Sequence, residues 1–265
     1  MSEDSSRHTR TALVTGATRG IGFELAALLA RDRYDLVLVG RNREQLSQNA
    51  RQLESQHGIR VRVLAKDLSA SNAADGIVDA LRADMVGIDV LVNNAGFGWN
   101  GRFVESDLAE QLSMIQVNVT ALMHLTRLLL PAMVARRSGR ILNVASTAAF
   151  YPGPMMATYY ASKAFVLSFS EALAEELRGT GVTVTALCPG PTRTGFQARA
   201  GMGNSRRVKS LFVMDAATVA AAGYRALHNG KRVCVPGVLN RLMTMFARIL
   251  PKAAVLQILR NLHKR

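Results

Sequence analysis

The chain has few of the residues that build metal centres or disulfide frameworks. Only two cysteines, Cys188 and Cys234, occur among its 265 residues, and the five histidines are scattered without metal-ligand spacing. These absences exclude an obvious zinc site and give no support to a Ser-His-Asp triad. We interpret both cysteines as core thiols and predict a cytoplasmic protein in a reducing compartment.

Secretory signals and long hydrophobic runs are also lacking. Met1–Arg10 is polar and includes Glu3 and Asp4, so this segment is predicted to be a short disordered tail. No uninterrupted apolar run reaches the roughly 18 residues of a membrane span. We therefore expect a soluble chain, or one that binds a membrane only at its surface.

Acidic residues are nearly absent from the last third of the chain. Residues 178–265 contain 15 Lys/Arg and Asp215 as the single acid, whereas residues 1–177 hold 18 of each sign. This block predicts either an anionic partner or a solvated basic face. We expect no nucleic-acid partner, because no recognition motif or aromatic platform accompanies the charge.

Short runs rich in Val, Ile and Leu recur along the chain and alternate with helix-period segments. The runs are Ala12–Thr15, Leu36–Val39, Val61–Ala65, Val90–Val92, Arg140–Ala145, Val182–Leu187 and Val233–Val235. Strands that are apolar throughout and alternate with helices predict an α/β fold, a parallel sheet covered on both faces, with ligands at the carboxyl ends of its strands. We predict one doubly wound, Rossmann-like domain over residues 11–236.

A glycine-rich turn connects the first predicted strand to a helix. It reads Thr15-Gly16-Ala17-Thr18-Arg19-Gly20-Ile21-Gly22, with the spacing G-x-x-x-G-x-G. Glycines at such a turn allow backbone to approach a pyrophosphate, and the helix N-terminus favours negative charge. The turn predicts a dinucleotide site formed by Gly16, Thr18, Arg19, Gly20, Ile21 and Gly22.

The end of the second predicted strand bears on the choice of nicotinamide. A carboxylate there binds the ribose 2′-hydroxyl of NAD, whereas arginine accommodates the 2′-phosphate of NADP. Here the strand ends in Gly40-Arg41, and Asp35 precedes it, at the wrong end of the sheet. Arg19 and Arg41 therefore predict NADP(H).

Further polar residues follow the later strands in a characteristic order: Asn93-Asn94-Ala95-Gly96, then Asn118, Ser146, and Tyr159 with Lys163 at i, i+4. With these motifs the chain resembles the short-chain dehydrogenase/reductase family, from about Thr11 to Val235. The resemblance implies a seven-stranded parallel sheet, a nicotinamide cofactor and an Asn118-Ser146-Tyr159-Lys163 active site. It also implies that Lys163 binds the nicotinamide ribose and that Asn118 holds a water that relays protons to Lys163.

The chemistry of these side chains agrees with that family. Hydride addition to a carbonyl leaves negative charge on oxygen, so Tyr159 is predicted to donate a proton and Ser146 to stabilise the oxygen. We expect the Lys163 charge to depress the pKa of Tyr159. Tyr160 is rotated about 100° around the helix and is assigned to packing or the pocket wall.

The resemblance implies further cofactor contacts. They are Asp67 and Leu68 near the adenine, Asn94, Ala95 and Gly96 along the ribose, Tyr159 and Lys163, and Pro189, Gly190, Thr192 and Thr194 near the carboxamide. Residues 190–214 lack periodicity and are predicted to form a substrate lid, with a disordered surface loop as the alternative.

The C-terminal segment, residues 237–265, is predicted to form basic amphipathic helices. Lys231–Arg265 holds eight basic residues and no acidic ones. A peripheral contact with an anionic membrane, a subunit contact in a homo-oligomer and a cover over the pocket all explain this pattern.

The leading hypothesis is an NADPH-dependent oxidoreductase that interconverts an apolar ketone, such as a 3-oxoacyl thioester or a steroid-like ketone, and its alcohol. The alternative is a non-catalytic NADP(H)-binding regulator of the same fold. A regulator has no need of Tyr159 and Lys163, which favours the enzyme.

Overall fold

Every predicted apolar run forms a strand in the computed structural model, which describes residues 10–201, 213–250 and 256–257. The strand ends agree with the sequence prediction to within one residue. The described residues form the strands β1 (Thr11–Thr15), β2 (Asp35–Gly40), β3 (Val61–Ala65), β4 (Val90–Asn93), β5 (Gly139–Val144), β6 (Val182–Leu187), β7 (Thr192–Arg193), β8 (Met214–Asp215) and β9 (Val233–Cys234).

Seven of these strands make one parallel sheet in the order β3-β2-β1-β4-β5-β6-β9. The winding reverses between β1 and β4, so the connections after these two strands leave in opposite directions. A crevice therefore opens at their carboxyl ends, which is where ligands bind in sheets of this type. This confirms the predicted α/β fold.

Helices cover both faces of the sheet, as strands that are apolar throughout require. They are α1 (Gly20–Arg31), α2 (Arg43–His57), α3 (Ala73–Ala83), α4 (Leu108–Ile115), α5 (Ala121–Ala135), α6 (Ala157–Glu176), α7 (Phe196–Arg199), α8 (Ala216–His228) and α9 (Val238–Ile249). One apolar core lies between the sheet and α1, α2 and α8, and the other between the sheet and α3, α5 and α6.

A single π-helical turn, Gln116–Thr120, joins α4 and α5 into one helical stretch. Leu108–Ala135 is long and apolar enough to cross a membrane, with a mean hydropathy of 1.4 in its best window. The stretch nevertheless packs on the sheet through the buried side chains of Ala121, Leu125 and Met133. It is therefore part of this folded domain, with 33% of that window buried, and it is interrupted by a π-turn of the kind that often marks functional residues.

The predicted lid begins and ends at two adjacent short strands. β7 pairs with β8 in parallel, so Thr192 lies beside Met214 and Arg193 beside Asp215. This pairing, which the sequence did not predict, holds the two ends of the lid together, while residues 202–212 lie outside the described part of the chain. The predicted N-terminal tail falls almost wholly outside it as well, as does the second predicted C-terminal helix apart from residues 256–257.

Candidate active site

The glycine-rich turn is held against the carboxyl ends of β2 and β4. The Gly16 amide donates to the Val39 carbonyl at 2.8 Å, and Asn94 Nδ2 donates to the Thr15 carbonyl at 2.9 Å. Gly16 has φ +67°, and a Cβ there would lie 2.7 Å from Asn94 Nδ2. Glycine is therefore required at this position both by conformation and by space.

The first turn of α1 faces the crevice, and the N-cap side chain does not bind its backbone N–H groups. Arg19 occupies the N-cap position without a capping hydrogen bond, and the first turn contains no acidic residue. The initial backbone N–H groups of a helix have no partner within the helix and carry partial positive charge. The residues present thus fit a bound pyrophosphate at the start of α1.

Gly22 has a different place from the one predicted. Its missing Cβ would lie 2.4 Å from the Gly16 carbonyl oxygen and 2.3 Å from Asn94 Nδ2. Gly22 therefore lies beneath the turn and not in the cavity wall, where it allows close packing instead of touching a ligand.

One cavity of about 1310 Å³ runs from the glycine-rich turn to the predicted catalytic side chains. Apart from Gly22 and Asn118, every predicted site residue lines it: Gly16, Thr18, Arg19, Gly20, Ile21, Arg41, Asp67, Leu68, Asn94, Ala95, Gly96, Ser146, Tyr159, Lys163, Pro189, Gly190, Thr192 and Thr194. The fold thus brings together residues that are up to 178 positions apart in the sequence.

The end of β2 contributes Gly40 and Arg41 to the cavity lining. Gly40 lies beside Thr18, and Arg41 is exposed at the cavity rim. Asp35 is at the amino end of β2, away from the cavity, where it accepts a hydrogen bond from Arg60 at 2.8 Å. The acid is therefore too remote to bind a ribose in this cavity.

A third arginine, which the sequence analysis missed, joins Arg19 and Arg41 at this end. Arg199 in α7 lies over the Phe97 ring, with its Cζ 4.1 Å from the centroid. Burial and the neighbouring charge of Arg41 lower the pKa of Arg199, opposed by Asp67. The one signal in the sequence was its position inside the predicted lid.

Asp67 places a carboxyl group within electrostatic range of Arg41 and Arg199. Burial tends to raise the pKa of its carboxyl group, but the Ser69 backbone N–H at 3.0 Å and the charges of Arg41 and Arg199 lower it more. The carboxylate is therefore ionised at neutral pH. With Arg19 nearby as well, the corner has an excess of positive charge suited to an anionic group.

Asn49 is a second residue that sequence reasoning missed. Its buried side chain donates from Nδ2 to the carbonyls of Ala17 at 3.0 Å and Thr18 at 3.1 Å. These bonds tie the glycine-rich turn to α2. A single Asn within a polar helix has no periodicity or motif, so the sequence offered no signal for it.

Tyr159 and Ser146 meet in the middle of the cavity. Their hydroxyl groups share a hydrogen bond, yet burial dominates and raises the pKa of Tyr159 to about 12. Ser146 also accepts from the Ala148 amide at 3.1 Å, which fixes its hydroxyl at the start of a 3-10 turn, Thr147–Phe150. The phenol is therefore a protonated donor at neutral pH.

Lys163 lies one helical turn further along α6 and is 5% exposed. Its Nζ donates to the Val144 carbonyl at 2.8 Å and lies 5.9 Å from the centroid of the Tyr159 ring. Burial lowers the pKa of Lys163 to about 8. The expectation that Lys163 depresses the pKa of Tyr159 below its ordinary value is wrong. Desolvation of the phenolate outweighs the attraction of an ammonium at this distance.

Asn118 lies in the π-turn and supports the site without lining the cavity. Its Oδ1 accepts from the Phe97 amide at 3.0 Å, and its Nδ2 donates to the Phe97 carbonyl at 2.9 Å and to Ser162 Oγ at 3.0 Å. A Cβ on Gly96 would lie 3.0 Å from Asn118 Oδ1 and 3.3 Å from Lys163 Nζ. The predicted proton relay thus has its residues adjacent, and its water remains a prediction.

The remaining wall of the cavity is aromatic and apolar. Phe196 lies with its ring centroid 5.1 Å from that of Tyr159, and Tyr160 packs on Tyr151 at 5.8 Å. Met155, Met156 and Met243 line the same space. The position of Tyr160 agrees with the wall role assigned from the sequence, and the wall suits an apolar substrate.

The described residues contain no cluster of His, Cys, Asp and Glu that could hold a metal ion. Among the described residues, Tyr159, Ser146 and Lys163 can supply acid–base chemistry at this site. An arrangement of this kind can polarise a carbonyl group and protonate its oxygen.

Residues 10–204 match the family model for short chain dehydrogenases. The chain is 37% identical over 224 residues to the ketoacyl reductase HetN of Nostoc sp., covering 83% of this chain and 76% of that protein. It is 32% identical to a very-long-chain 3-oxoacyl-CoA reductase of Anas platyrhynchos, covering 96% of this chain and 80% of the relative.

Among solved structures, a short-chain dehydrogenase from Sphingobium yanoikuyae, in complex with NADPH, superimposes with a TM-score of 0.80. It is 32% identical in sequence, and the match covers 92% of this chain and 97% of that one. Sequence, fold and site geometry agree, and the chain belongs to the short-chain dehydrogenase family of oxidoreductases.

Proposed function

We propose that this protein is an NADPH-dependent reductase that converts the ketone of a 3-oxoacyl thioester with an apolar chain into a secondary alcohol. The observation that carries the proposal is that one cavity contains both an arginine-rich corner and the Ser146–Tyr159 pair, beside aromatic walls. The two relatives described above are named as reductases of ketoacyl and 3-oxoacyl-CoA compounds.

NADPH, when bound, supplies the hydride. Backbone N–H groups at the start of α1 would hold its pyrophosphate, and Arg19, Arg41 and Arg199 would bind its 2′-phosphate. Positive charge of this density favours a phosphate over a ribose hydroxyl, because charge-assisted hydrogen bonds are stronger than neutral ones.

The protein's own groups handle the proton. Ser146 and Tyr159 donate hydrogen bonds to the substrate carbonyl oxygen, and the Tyr159 hydroxyl gives up its proton as negative charge develops there. Because burial holds the Tyr159 pKa at about 12, the proton is present throughout the neutral range. Lys163, one turn away, supplies positive charge that stabilises the phenolate left behind.

The substrate side of the cavity favours a long apolar chain. Tyr151, Met155, Met156 and Phe196 form its walls. Apolar walls bind an acyl chain through burial of its surface, at roughly 25 cal/mol per Å².

Two further parts of the proposal concern the setting of the enzyme. We propose a cytoplasmic location, which is supported by the free thiols of Cys188 and Cys234. We also propose a homo-oligomer, because the apolar side chains of Leu108 and Leu112 in α4 and Met123 in α5 are exposed.

The test compares Tyr159→Phe with Tyr160→Phe in NADPH consumption with 3-oxoacyl-CoA substrates of increasing chain length. Tyr159→Phe is expected to reduce kcat by at least about a hundredfold, since general acid catalysis contributes roughly that much. Tyr160→Phe, one position away on the same helix, should retain activity within about threefold, because its hydroxyl moves no proton.

Two results would contradict the proposal. A Tyr159→Phe variant with nearly normal kcat would exclude the proton-donor role. NADPH binding by the wild type without turnover of any ketone in the series would favour the non-catalytic regulator instead.

A further inference from the structure

Helix α9 packs on the domain through its polar side and presents its apolar side outward. Asn240 and Thr244 are only 6% and 4% exposed. The Asn240 side chain donates to the Pro236 carbonyl at 2.9 Å and lies against Gly190, where a Cβ would be 2.5 Å from its amide. This is the reverse of a surface helix of a globular domain, whose apolar stripe faces the core.

The outward side of α9 is a continuous apolar surface, which we call the α9 face. Val238 is 72% exposed and Phe246 56%. The α9 face consists of the exposed side chains of Val238, Leu239, Leu242, Met243, Met245 and Phe246. Contiguous apolar surface of this kind marks an interaction site, because single exposed residues are common and clustered ones are not.

The charge around the α9 face identifies the chemistry of the partner. Arg241 is exposed at the border of the face, and the sequence from Val238 to Arg265 contains six basic residues and no acid. A second copy docked through this same face would bring its border charges, Arg241 included, close to each other. An anionic lipid surface satisfies both features, since its headgroups attract arginine and its acyl chains receive the apolar side chains.

The α9 face is also connected to the cavity. Asn240 and Met243 line the cavity wall, and Met243 is at the same time part of the exposed surface. A membrane against α9 would therefore lie beside the cavity, so an apolar substrate could pass from lipid to the site without crossing water.

We propose that α9 docks in the interfacial region of an anionic membrane, with the α9 face toward the acyl chains and Arg241 at the level of the headgroups. The docking depends on the surface of α9 and not on the reductase activity proposed above. Its test therefore uses binding alone, so that either proposal can fail without the other.

The experiment is flotation of the full-length protein with vesicles of phosphatidylcholine, with and without phosphatidylglycerol, at low and high salt. The test variant is Leu242→Glu/Phe246→Glu, which alters the α9 face but no residue that lines the cavity. The control is Met85→Glu, because Met85 is 93% exposed in the turn between α3 and the amino end of β4, whereas α9 follows the carboxyl end of β9. Thermal unfolding and NADPH binding report whether each variant is folded.

Wild type and Met85→Glu are expected to float with the anionic vesicles at low salt. Binding should weaken in 1 M salt, where screening acts within about 3 Å, and without phosphatidylglycerol. The double variant should fold and bind NADPH like the wild type. It should bind the anionic vesicles at least about tenfold more weakly, because each large apolar side chain contributes about that factor or more to membrane affinity when buried.

Three results would overturn the proposal. One is wild-type protein that fails to float with anionic vesicles at low salt, and another is equal flotation of wild type and double variant. The third is sedimentation of the wild type as an oligomer that Leu242→Glu/Phe246→Glu converts to monomers, since the α9 face would then be covered by a second copy. Should the double variant fail to fold, Leu242→Ser and Phe246→Ser provide the same comparison one side chain at a time.

Discussion

Replacing Arg41 by alanine should weaken NADPH binding much more than NADH binding. Arg41 is exposed at the rim of the cavity, beside Asp67 and within the electrostatic reach of Arg199. A hydrogen bond to a charged group contributes about 1.5 to 3 kcal/mol, which is roughly ten- to a hundredfold in affinity. Because the site is partly open to solvent, we expect the lower end of that range.

The Asp67 carboxylate makes the effect specific for the 2′-phosphate. Without Arg41 its negative charge is less compensated and disfavours the phosphate, while a ribose hydroxyl is nearly unaffected. Titration of both cofactors should therefore show the NADPH Kd raised about tenfold or more and the NADH Kd changed by less than about threefold. Arg199→Ala in addition should weaken NADPH binding again.

Arg43→Ala is the matched control, because Arg43 is an exposed arginine two residues away, at the start of α2, and is not part of the cavity wall. It should leave both dissociation constants unchanged. Equal wild-type affinity for NADPH and NADH, or an equal loss of both in Arg41→Ala, would refute the reasoning.

Two further predictions concern Lys163 and Asn49. Burial lowers the Lys163 pKa to about 8, so the ammonium that stabilises the Tyr159 phenolate is present below that pH and lost above it. The reductive kcat/KM should therefore fall about tenfold per pH unit above about pH 8. Lys163→Arg should move this decline to higher pH, and a wild-type profile that stays flat to about pH 10 would contradict the role. Asn49→Ala removes two buried hydrogen bonds to the glycine-rich turn and should lower the free energy of unfolding by about 1 to 3 kcal/mol and weaken NADPH binding. Gln52→Ala, on the exposed side of α2, should change neither quantity in chemical denaturation and cofactor titration, and equal effects of the two variants would show that Asn49 has no special part in holding the turn.

The sheet and the motif residues were predictable because their signals are local. Strands buried on both faces leave unbroken apolar runs, and β1 is buried at each of its five residues. The glycine-rich turn and the Tyr159–Lys163 pair each lie within a few positions of sequence, so spacing alone reveals them.

Residues that act through tertiary contacts gave no such signal. Asn49 reaches the glycine-rich turn across about 30 positions, and Arg199 lies within electrostatic range of Arg41, which is 158 positions away. The pKa of Tyr159 was misjudged for the same reason. Proximity to Lys163 can be read from i, i+4 spacing, whereas the burial that dominates the pKa depends on Phe196 and the other walls.

The orientation of helix α9 could not be predicted from its sequence either. Its sequence reveals an amphipathic helix, but periodicity does not say which side meets the domain. Gly190 leaves space that the Asn240 amide fills, so the polar side turns inward and the apolar side outward. That orientation follows from a contact between segments 50 positions apart.

The most direct test of the account is transfer of a label from cofactor to product. NADPH carrying deuterium at the transferable position of its nicotinamide ring would be incubated with a long-chain 3-oxoacyl-CoA, and the products analysed by mass spectrometry. We expect one deuterium on the carbinol carbon of the 3-hydroxyacyl product with wild type and with Tyr160→Phe. The Tyr159→Phe variant should form at most about a hundredth of that product. Unlabelled product, or equal labelled product from the Tyr159→Phe variant, would contradict it.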